Sequence, residues 1–266
     1  MKRKKKDMSS QVDLFICTHK NFEPKVSSEV YKVVHGNNWV TECGNLQVID
    51  CYLDDEMLDD RFWSELYMYK WVAKNWELKK YVGFCHYRRY WWFLDDIPDF
   101  DKYFKDHGAI AVTPKKFNIT VLEQYERFHN SDDLLLCGDI IREKAPQYEG
   151  IYSQFIKQRG FFPFNMLIMK KDDFLAYMEF MNTILDTYVD IVGTDIYKRI
   201  KSNREFYLKS GDPGNKPEYQ YRIGSFLGER LTNVFLMKNF KKICAFDWIL
   251  TEKKYKNEGE GDPDIV

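Results

Sequence analysis

The chain has 266 residues, with 40 Lys plus Arg against 41 Asp plus Glu and a net charge of −1. That balance excludes the broad basic footprint of a nucleic-acid-binding protein, so any anion site has to be local. The length suits one large α/β domain around a substantial core. With no signal peptide and no apolar stretch approaching the ~20 residues needed to span a bilayer, the chain reads as cytosolic.

Lys2, Arg3, Lys4, Lys5 and Lys6 form a basic tail expected over residues 1–10. Such a tail is either a solvated, disordered end or an attachment to anionic lipid head groups, at about 1 kcal/mol per charge. Val12–Cys17 reads as a first strand, and Thr18-His19-Lys20 places polar groups at its carboxyl end. From Tyr31 to Asp55 the pattern is irregular, with turn signals at Gly36-Asn37-Asn38 and Cys43-Gly44-Asn45, so this stretch is expected to be mostly loop with a short strand at Leu46–Ile49. Asp59 or Asp60 can cap a helix running to about Leu78, because Phe62, Leu66, Tyr69, Ala73 and Trp76 recur at helical spacing while Lys70, Lys74 and Glu77 fall elsewhere.

Tyr81-Val82-Gly83-Phe84-Cys85 then suits a strand buried on both faces, and it ends abruptly in His86-Tyr87-Arg88-Arg89. Strand, helix, strand makes a parallel crossover. Ala109–Val112 is a further strand, closed by Thr113-Pro114. The apolar run Phe161–Met169 is interrupted by Pro163 and Asn165, and Lys171-Asp172-Asp173 opens a helix whose buried face carries Phe174, Tyr177, Met178, Met181 and Leu185. Residues 209–217 read as a flexible loop. A last helix spans Tyr221–Lys238 with Ile223, Leu227, Leu231, Val234 and Phe235 inward, and residues 251–266 form a polar tail. The unit between the tails, 11–250, is one domain with a mostly parallel, Rossmann-like mixed sheet flanked by helices.

Six scattered cysteines show no zinc-like spacing, and Cys17 and Cys85 read as buried thiols. Aromatic residues are 17% of the chain, roughly twice an ordinary share. Their flat faces suit stacking on sugars or bases, although each one taken singly reads first as core filling.

In open α/β sheets, ligands bind outside the carboxyl ends of the strands. Arg88 and Arg89 offer permanently charged donor forks for phosphate oxygens, and His86 adds a donor that switches charge near neutral pH. The alternative is a solvated loop or a set of ion-pair partners. On the last helix Arg222, Ser225, Glu229 and Asn233 share one face, by default a solvent-facing stripe. A transferase acting on a nucleotide-diphosphate sugar needs positive charge on the leaving diphosphate and, if it inverts, a carboxylate base. Arg88, Arg89, His86 and Lys20 meet the first need and Glu229 the second. No Asp-X-Asp follows a strand, and neither Asp54-Asp55 nor Asp95-Asp96 sits at a clear strand end. Cationic side chains are therefore favoured over a metal, with no obligate cofactor expected and Mg²⁺ or Mn²⁺ left open.

Cys17-Thr18-His19-Lys20, Ser64-Glu65-Leu66-Tyr67 with Trp71 and Lys74-Asn75, Gly83 through Tyr90, Glu123-Gln124-Tyr125 with His129, Asn165–Met169 and Gly228-Glu229-Arg230-Leu231 occur in this order along the chain. In these strings, HYRRY and Gly228-Glu229-Arg230-Leu231 above all, the chain resembles a bacterial domain-of-unknown-function family found among capsular and exopolysaccharide biosynthesis proteins and associated with glycosyl transfer. The resemblance implies a glycosyltransferase of GT-A-like fold. Its donor would be a nucleotide-diphosphate sugar carrying a hexose, with galactofuranose a candidate. The acceptor would be a saccharide or lipid-linked sugar of capsule, exopolysaccharide or O-antigen synthesis, met at the inner face of the membrane.

On that basis Thr18, His19, Lys20, Arg88 and Arg89 are expected to bind the donor diphosphate. Tyr87, Tyr125, His129 and Asn165 are expected to contact sugar or acceptor, and Glu229, Arg230 and His86 to serve catalysis. A non-catalytic carbohydrate-binding module and a metal-dependent phosphoryl-transfer or nucleotide-hydrolysing enzyme are the alternatives.

Overall fold

The computed structural model describes residues 7–36, 40, 42–52, 60–193, 198, 200–201 and 217–251. The basic run at 2–6, the turn at 37–38, Asp54-Asp55, the Asp59 cap, the 209–216 loop and the polar segment 252–266 lie outside the described residues.

The central sheet is built from β1 (Val12–Cys17), β2 (Tyr31–His35), β3 (Gln47–Asp50), β4 (Tyr81–His86), β6 (Ala109–Val112), β9 (Leu167–Lys170) and β10 (Ile243–Phe246), in the spatial order β10-β6-β9-β4-β1-β2-β3. Pairing is parallel throughout except at β9, which runs against both β4 and β6. Two short strands, β5 (Arg89–Trp91) and β11 (Trp248–Leu250), form an antiparallel ribbon at the end of β4. A separate pair joins β7 (Lys115–Lys116) to β8 (Gly160–Phe161).

Successive side chains of a strand face opposite sides, and both sides of this sheet are buried. Phe15, Cys17, Val82, Phe84 and Met169 enter one core. Helices α1 (Asp60–Trp63), α2 (Glu65–Asn75), α4 (Val121–Phe128), α5 (Ser131–Lys144), α6 (Glu149–Phe155), α7 (Lys171–Val192) and α8 (Ile223–Asn239) contribute to that side. Leu14, Ile16, Tyr81, Cys85 and Ile168 enter the other core, closed by Trp91, Phe93 and α3 (Phe100–Tyr103). The expected class of fold, a mostly parallel sheet flanked by helices, is the one found. Cys17 and Cys85 are buried, and burial raises both thiols above their ordinary pKa.

Two sequence expectations need correction. Residues 31–35 form a fully buried strand, not a loop. Lys32 hid the strand's character, because its ammonium is buried against the fully enclosed carboxylate of Asp13 at 3.0 Å. Lys79 approaches the same carboxylate at 3.4 Å, and its backbone N–H and the Trp76 indole donate to it. Second, the helix expected from 59 or 60 to 78 is broken at Ser64, which has φ 52°, and it ends at Asn75 because Trp76 is extended. Residues on either side of 11–250 also pack against the body. Met8 is buried, the Ser9 carbonyl accepts Lys79 Nζ at 2.8 Å, and Thr251 N–H donates to the Arg88 carbonyl at 3.0 Å. Among the described residues no helix is long and apolar enough to cross a membrane.

Helix α8 lies against α1 and α2 through glycines. A Cβ on Gly224 would fall 2.7 Å from the Phe62 carbonyl oxygen and 2.6 Å from its ring, and one on Gly228 would fall 2.3 Å from Leu66 Cδ1. This close approach brings the polar face of α8 to the head of α2. Alanine is the better helix former by about 1 kcal/mol, but overpacking against a backbone carbonyl costs about 1–3 kcal/mol. Gly224→Ala should therefore lower stability in urea unfolding; a rise would show that the two helices can separate freely.

Candidate active site

Strands β1 and β4 are parallel neighbours, while β2 and β3 continue on the far side of β1. The chain thus reverses its direction of sheet growth between β1 and β4, the crevice where open α/β sheets bind ligands. The two loops leave at one level, since Cys17 pairs with His86 and Tyr87 N–H donates to the Cys17 carbonyl at 3.1 Å. Thr18 closes its own turn, its hydroxyl accepting Lys20 N–H at 3.2 Å and donating to the Lys20 carbonyl at 2.7 Å. That turn sets the His19 ring edge-on to Tyr87 at 5.2 Å and the Lys20 ammonium over Tyr87 at 4.8 Å. Tyr87 and Arg88 form the reversal into β5, and the Arg89 guanidinium lies over the Phe164 ring at 4.3 Å.

Phe164 and Asn165 precede β9 with φ of 72° and 54°. Left-handed backbone is costly for a bulky residue such as phenylalanine. Side chains from three elements hold it there. Phe164 N–H donates to Glu229 Oε1 at 2.6 Å, His86 Nε2–H donates to the Phe164 carbonyl at 2.8 Å, and the Tyr69 hydroxyl donates to the Asn165 carbonyl at 2.8 Å. Asn233 brackets Phe162 just before, accepting from its N–H and donating to its carbonyl.

The buried carboxylate of Glu65 is the centre of this network. Its Oε1 accepts Asn165 Nδ2 and the Ser225 hydroxyl, each at 2.9 Å, and Arg222 stands 3.5 Å from Oε2. Arg222 also donates to Ser64 Oγ at 2.9 Å, so strained Ser64 turns its hydroxyl toward that arginine in place of capping α2. Burial works to raise the Glu65 pKa, but the adjoining His86 ring, the Arg222 charge and the Asn165 bond outweigh it and hold the carboxyl below its ordinary value. His86 is driven the other way. Loss of water around the ring pushes its pKa down to about 4, Arg89 and Arg222 adding to the effect and Glu65 opposing it. At neutral pH the imidazole is uncharged.

A second buried charge extends the network. Arg230 donates to Glu229 Oε2 at 2.6 Å and to Gln124 Oε1 at 2.7 Å, and its guanidinium lies over the rings of Tyr125 and Phe161. His129 is buried beside it, paired with Gln220 at 3.0 Å and stacked on Phe226.

The structure therefore gathers the sequence-predicted residues into two linked groups. Thr18, His19, Lys20 and Tyr87 share one pair of loops. His86, Arg89, Asn165, Glu229 and Arg230 meet around the Phe164 turn, with Tyr125 and His129 buried behind them. Asn165, expected to touch sugar, has its side-chain amide wholly engaged inside the protein, since its Oδ1 takes the Thr232 hydroxyl. Both Glu229 oxygens already accept hydrogen bonds. The face of α8 that read as a solvent stripe is turned inward, with Ser225 and Asn233 buried.

Glu65 was not singled out as a site residue. The available signal was its position four residues before Tyr69 and seven before Val72, which puts a carboxylate on the apolar face of its helix. Among the described residues no group of His, Cys, Asp and Glu is arranged to hold a metal ion. Glu65 and Glu229 are saturated by hydrogen-bond donors and arginines, while Asp95 accepts the N–H groups of Ser27 and Ser28. These carboxylates do not form a divalent-cation site.

Residues 13–240 match the family described as "Domain of unknown function (DUF4422)". No curated protein matches. Among solved structures the chain is similar to the apo form of the bifunctional glycosyltransferase WbbM, with 21% identity and a TM-score of 0.63 over 91% of this chain. This chain covers 46% of that one, less than half its length. Two structures of the mannosyltransferase Ktr4p from S. cerevisiae are weakly similar. One has 9% identity and a TM-score of 0.34 over 87% of this chain and 67% of that one. The other, in complex with GDP, has 10% identity and a TM-score of 0.36 over 86% and 67%.

Two outcomes follow from the strained turn and the half-buried imidazole. Glycine normally destabilises relative to alanine, but at φ 72° the order should reverse, Phe164→Gly unfolding at higher urea than Phe164→Ala by about 1 kcal/mol. Because the folded His86 pKa lies below the ordinary 6.5, the unfolded chain binds the extra proton between pH 6.5 and about 4. Stability should fall as pH drops through that window, by up to about 3 kcal/mol from this group. His86→Gln, which keeps a donor for the Phe164 carbonyl, should flatten that part of the pH profile; an unchanged slope would mean the imidazole is already charged in the folded state.

Proposed function

The chain belongs to the DUF4422 family, and on that premise we propose that it is a glycosyltransferase, with residues 11–250 as its catalytic unit. It moves a hexose, galactofuranose being the candidate the resemblance suggests, from a nucleotide-diphosphate sugar to a saccharide or lipid-linked acceptor. The setting is capsule, exopolysaccharide or O-antigen synthesis at the cytoplasmic face of the membrane. One observation carries this reading: the cationic loops after β1 and β4 stand together at the switch point of a mostly parallel sheet, beside a buried polar network that holds a strained turn. The likeness in fold to a bifunctional glycosyltransferase agrees with it.

In this mechanism negative charge grows on the leaving diphosphate as the sugar–oxygen bond breaks. Lys20, Arg88 and Arg89 stabilise that charge from fixed positions, the kind of preorganised electrostatics that contributes most to such reactions. They do so in place of a metal. Tyr87, braced by His19 and Lys20, offers an aromatic wall to the sugar. His86, uncharged at neutral pH, is too weak a base at a pKa of about 4 to drive proton removal, and it positions the Phe164 turn instead. Glu229 orients Arg230, and to act as a base toward the acceptor hydroxyl it would have to release Phe164 N–H or Arg230. Asn165, Tyr125 and His129 support this frame from the buried side.

Arg88→Ala should lower kcat/KM by about 10- to 100-fold, the scale of one charge-assisted contact, and Glu229→Gln should lower kcat, in variants whose melting shows that they fold. Near wild-type transfer in both would sink the assignment. The nucleotide product separates the alternatives, because intact nucleoside diphosphate marks glycosyl transfer and inorganic phosphate marks phosphoryl chemistry. Added Mg²⁺ or Mn²⁺ should leave the rate of the metal-free protein unchanged.

A further inference from the structure

Lys115 opens β7 just beyond the carboxyl end of β6. Since β6 runs in the same direction as β4, and the residues before β9 lie at that same edge, Lys115 emerges on the side of the sheet that carries the β1 and β4 loops. Its ammonium lies over the Phe164 ring, 4.9 Å from the centroid. The Arg89 guanidinium lies over that ring at 4.3 Å, and Trp248 meets its edge at 5.1 Å.

Arg89 and Lys115 come from strands that do not pair with each other, since β5 joins β4 and β11 whereas β7 joins β8. The ring is their common support, through the attraction of a cation for an aromatic face. Two cations brought to one ring present a pair of charged donors of the kind a diphosphate accepts. The ring is itself kept at a cost, because it stands on left-handed backbone that glycine would occupy without strain. Glycine could meet every backbone hydrogen bond of the turn, but it could not hold the two cations.

We propose that Lys115 and Arg89 form a two-cation clamp for a diphosphate, in which Lys115 binds the anion directly and Phe164 is the positioning residue that sets the separation of the two charges. The clamp deepens the glycosyltransferase reading, on which it rests, by adding a donor-binding residue from β7. It also accounts for the retention of an aromatic residue at a strained position.

Calorimetric titration of inorganic pyrophosphate, UDP and GDP into the full chain at fixed ionic strength tests the clamp. Lys115→Gln should weaken pyrophosphate binding about tenfold or more, the worth of one charge-assisted contact. Lys116→Gln, which removes an equal charge from the exposed side of the same strand, should bind as wild type. Phe164→Leu should weaken binding severalfold with little change in melting temperature, and Phe164→Tyr, which keeps an aromatic face, should restore it.

Equal binding by Lys115→Gln and wild type, equal losses in the Lys115 and Lys116 variants, or no binding of any probe to the wild type would overturn the clamp. If pyrophosphate binds in a Lys115-dependent way but neither nucleotide does, the clamp stands and its assignment to a UDP- or GDP-sugar donor falls. If the nucleotides bind regardless of Lys115, the donor reading stands and the clamp falls.

Discussion

A single buried carboxylate, Glu65 at the head of α2, is the constraint around which the candidate site is organised. Removing a charge from water costs several kcal/mol unless partners replace the lost hydration. Here the partners come from the turn before β9, from α8 and from the arginine that precedes α8. Each partner therefore has a fixed place relative to α2. The turn is in consequence held in a conformation its residues would not choose, and His86 reaches its carbonyl from the end of β4. The glycine contacts of α8 are the steric counterpart of this arrangement, since without close approach Ser225 could not reach Glu65.

Much of the sheet was legible because burial on both faces leaves a plain signature. Val12–Cys17, Ala109–Val112 and the strand from Tyr81 read correctly as short apolar runs. Tyr31–His35 did not, because the lysine within it is tolerated only through a carboxylate on the neighbouring strand, and that pairing is not a local property. Helices α4 to α6 were not anticipated. The start of α4 does carry a local sign, a reciprocal pair in which Thr120 and Glu123 cap each other's backbone.

The site divided along similar lines. Arg88 and Arg89 were conspicuous as charges ending an apolar strand, and the resemblance to a known family pointed to the α8 string. The inward turn of the polar α8 face was hidden. Arg222, Ser225, Glu229 and Asn233 are spaced as a wet surface would be, and only the polar partners opposite Ser225, Glu229 and Asn233 reverse that meaning. Polar residues at helical period say that they share a side, whereas the neighbouring elements decide whether that side is wet. Lys115 likewise gains significance only when Phe164 and Arg89 are placed beside it.

The ionic knot at the opposite end of β1 has a consequence for how accurately the loops are held. Asp13, fully enclosed, is shared by Lys32 of the adjoining strand and by Lys79 on the approach to β4. Sliding β1 by one position against either neighbour would turn that carboxylate to the other side of the sheet and strand it among apolar side chains. The knot therefore acts as an indexing pin. It sets the axial register of the strand from below, and so fixes the height at which Thr18, His19 and Lys20 stand above the sheet.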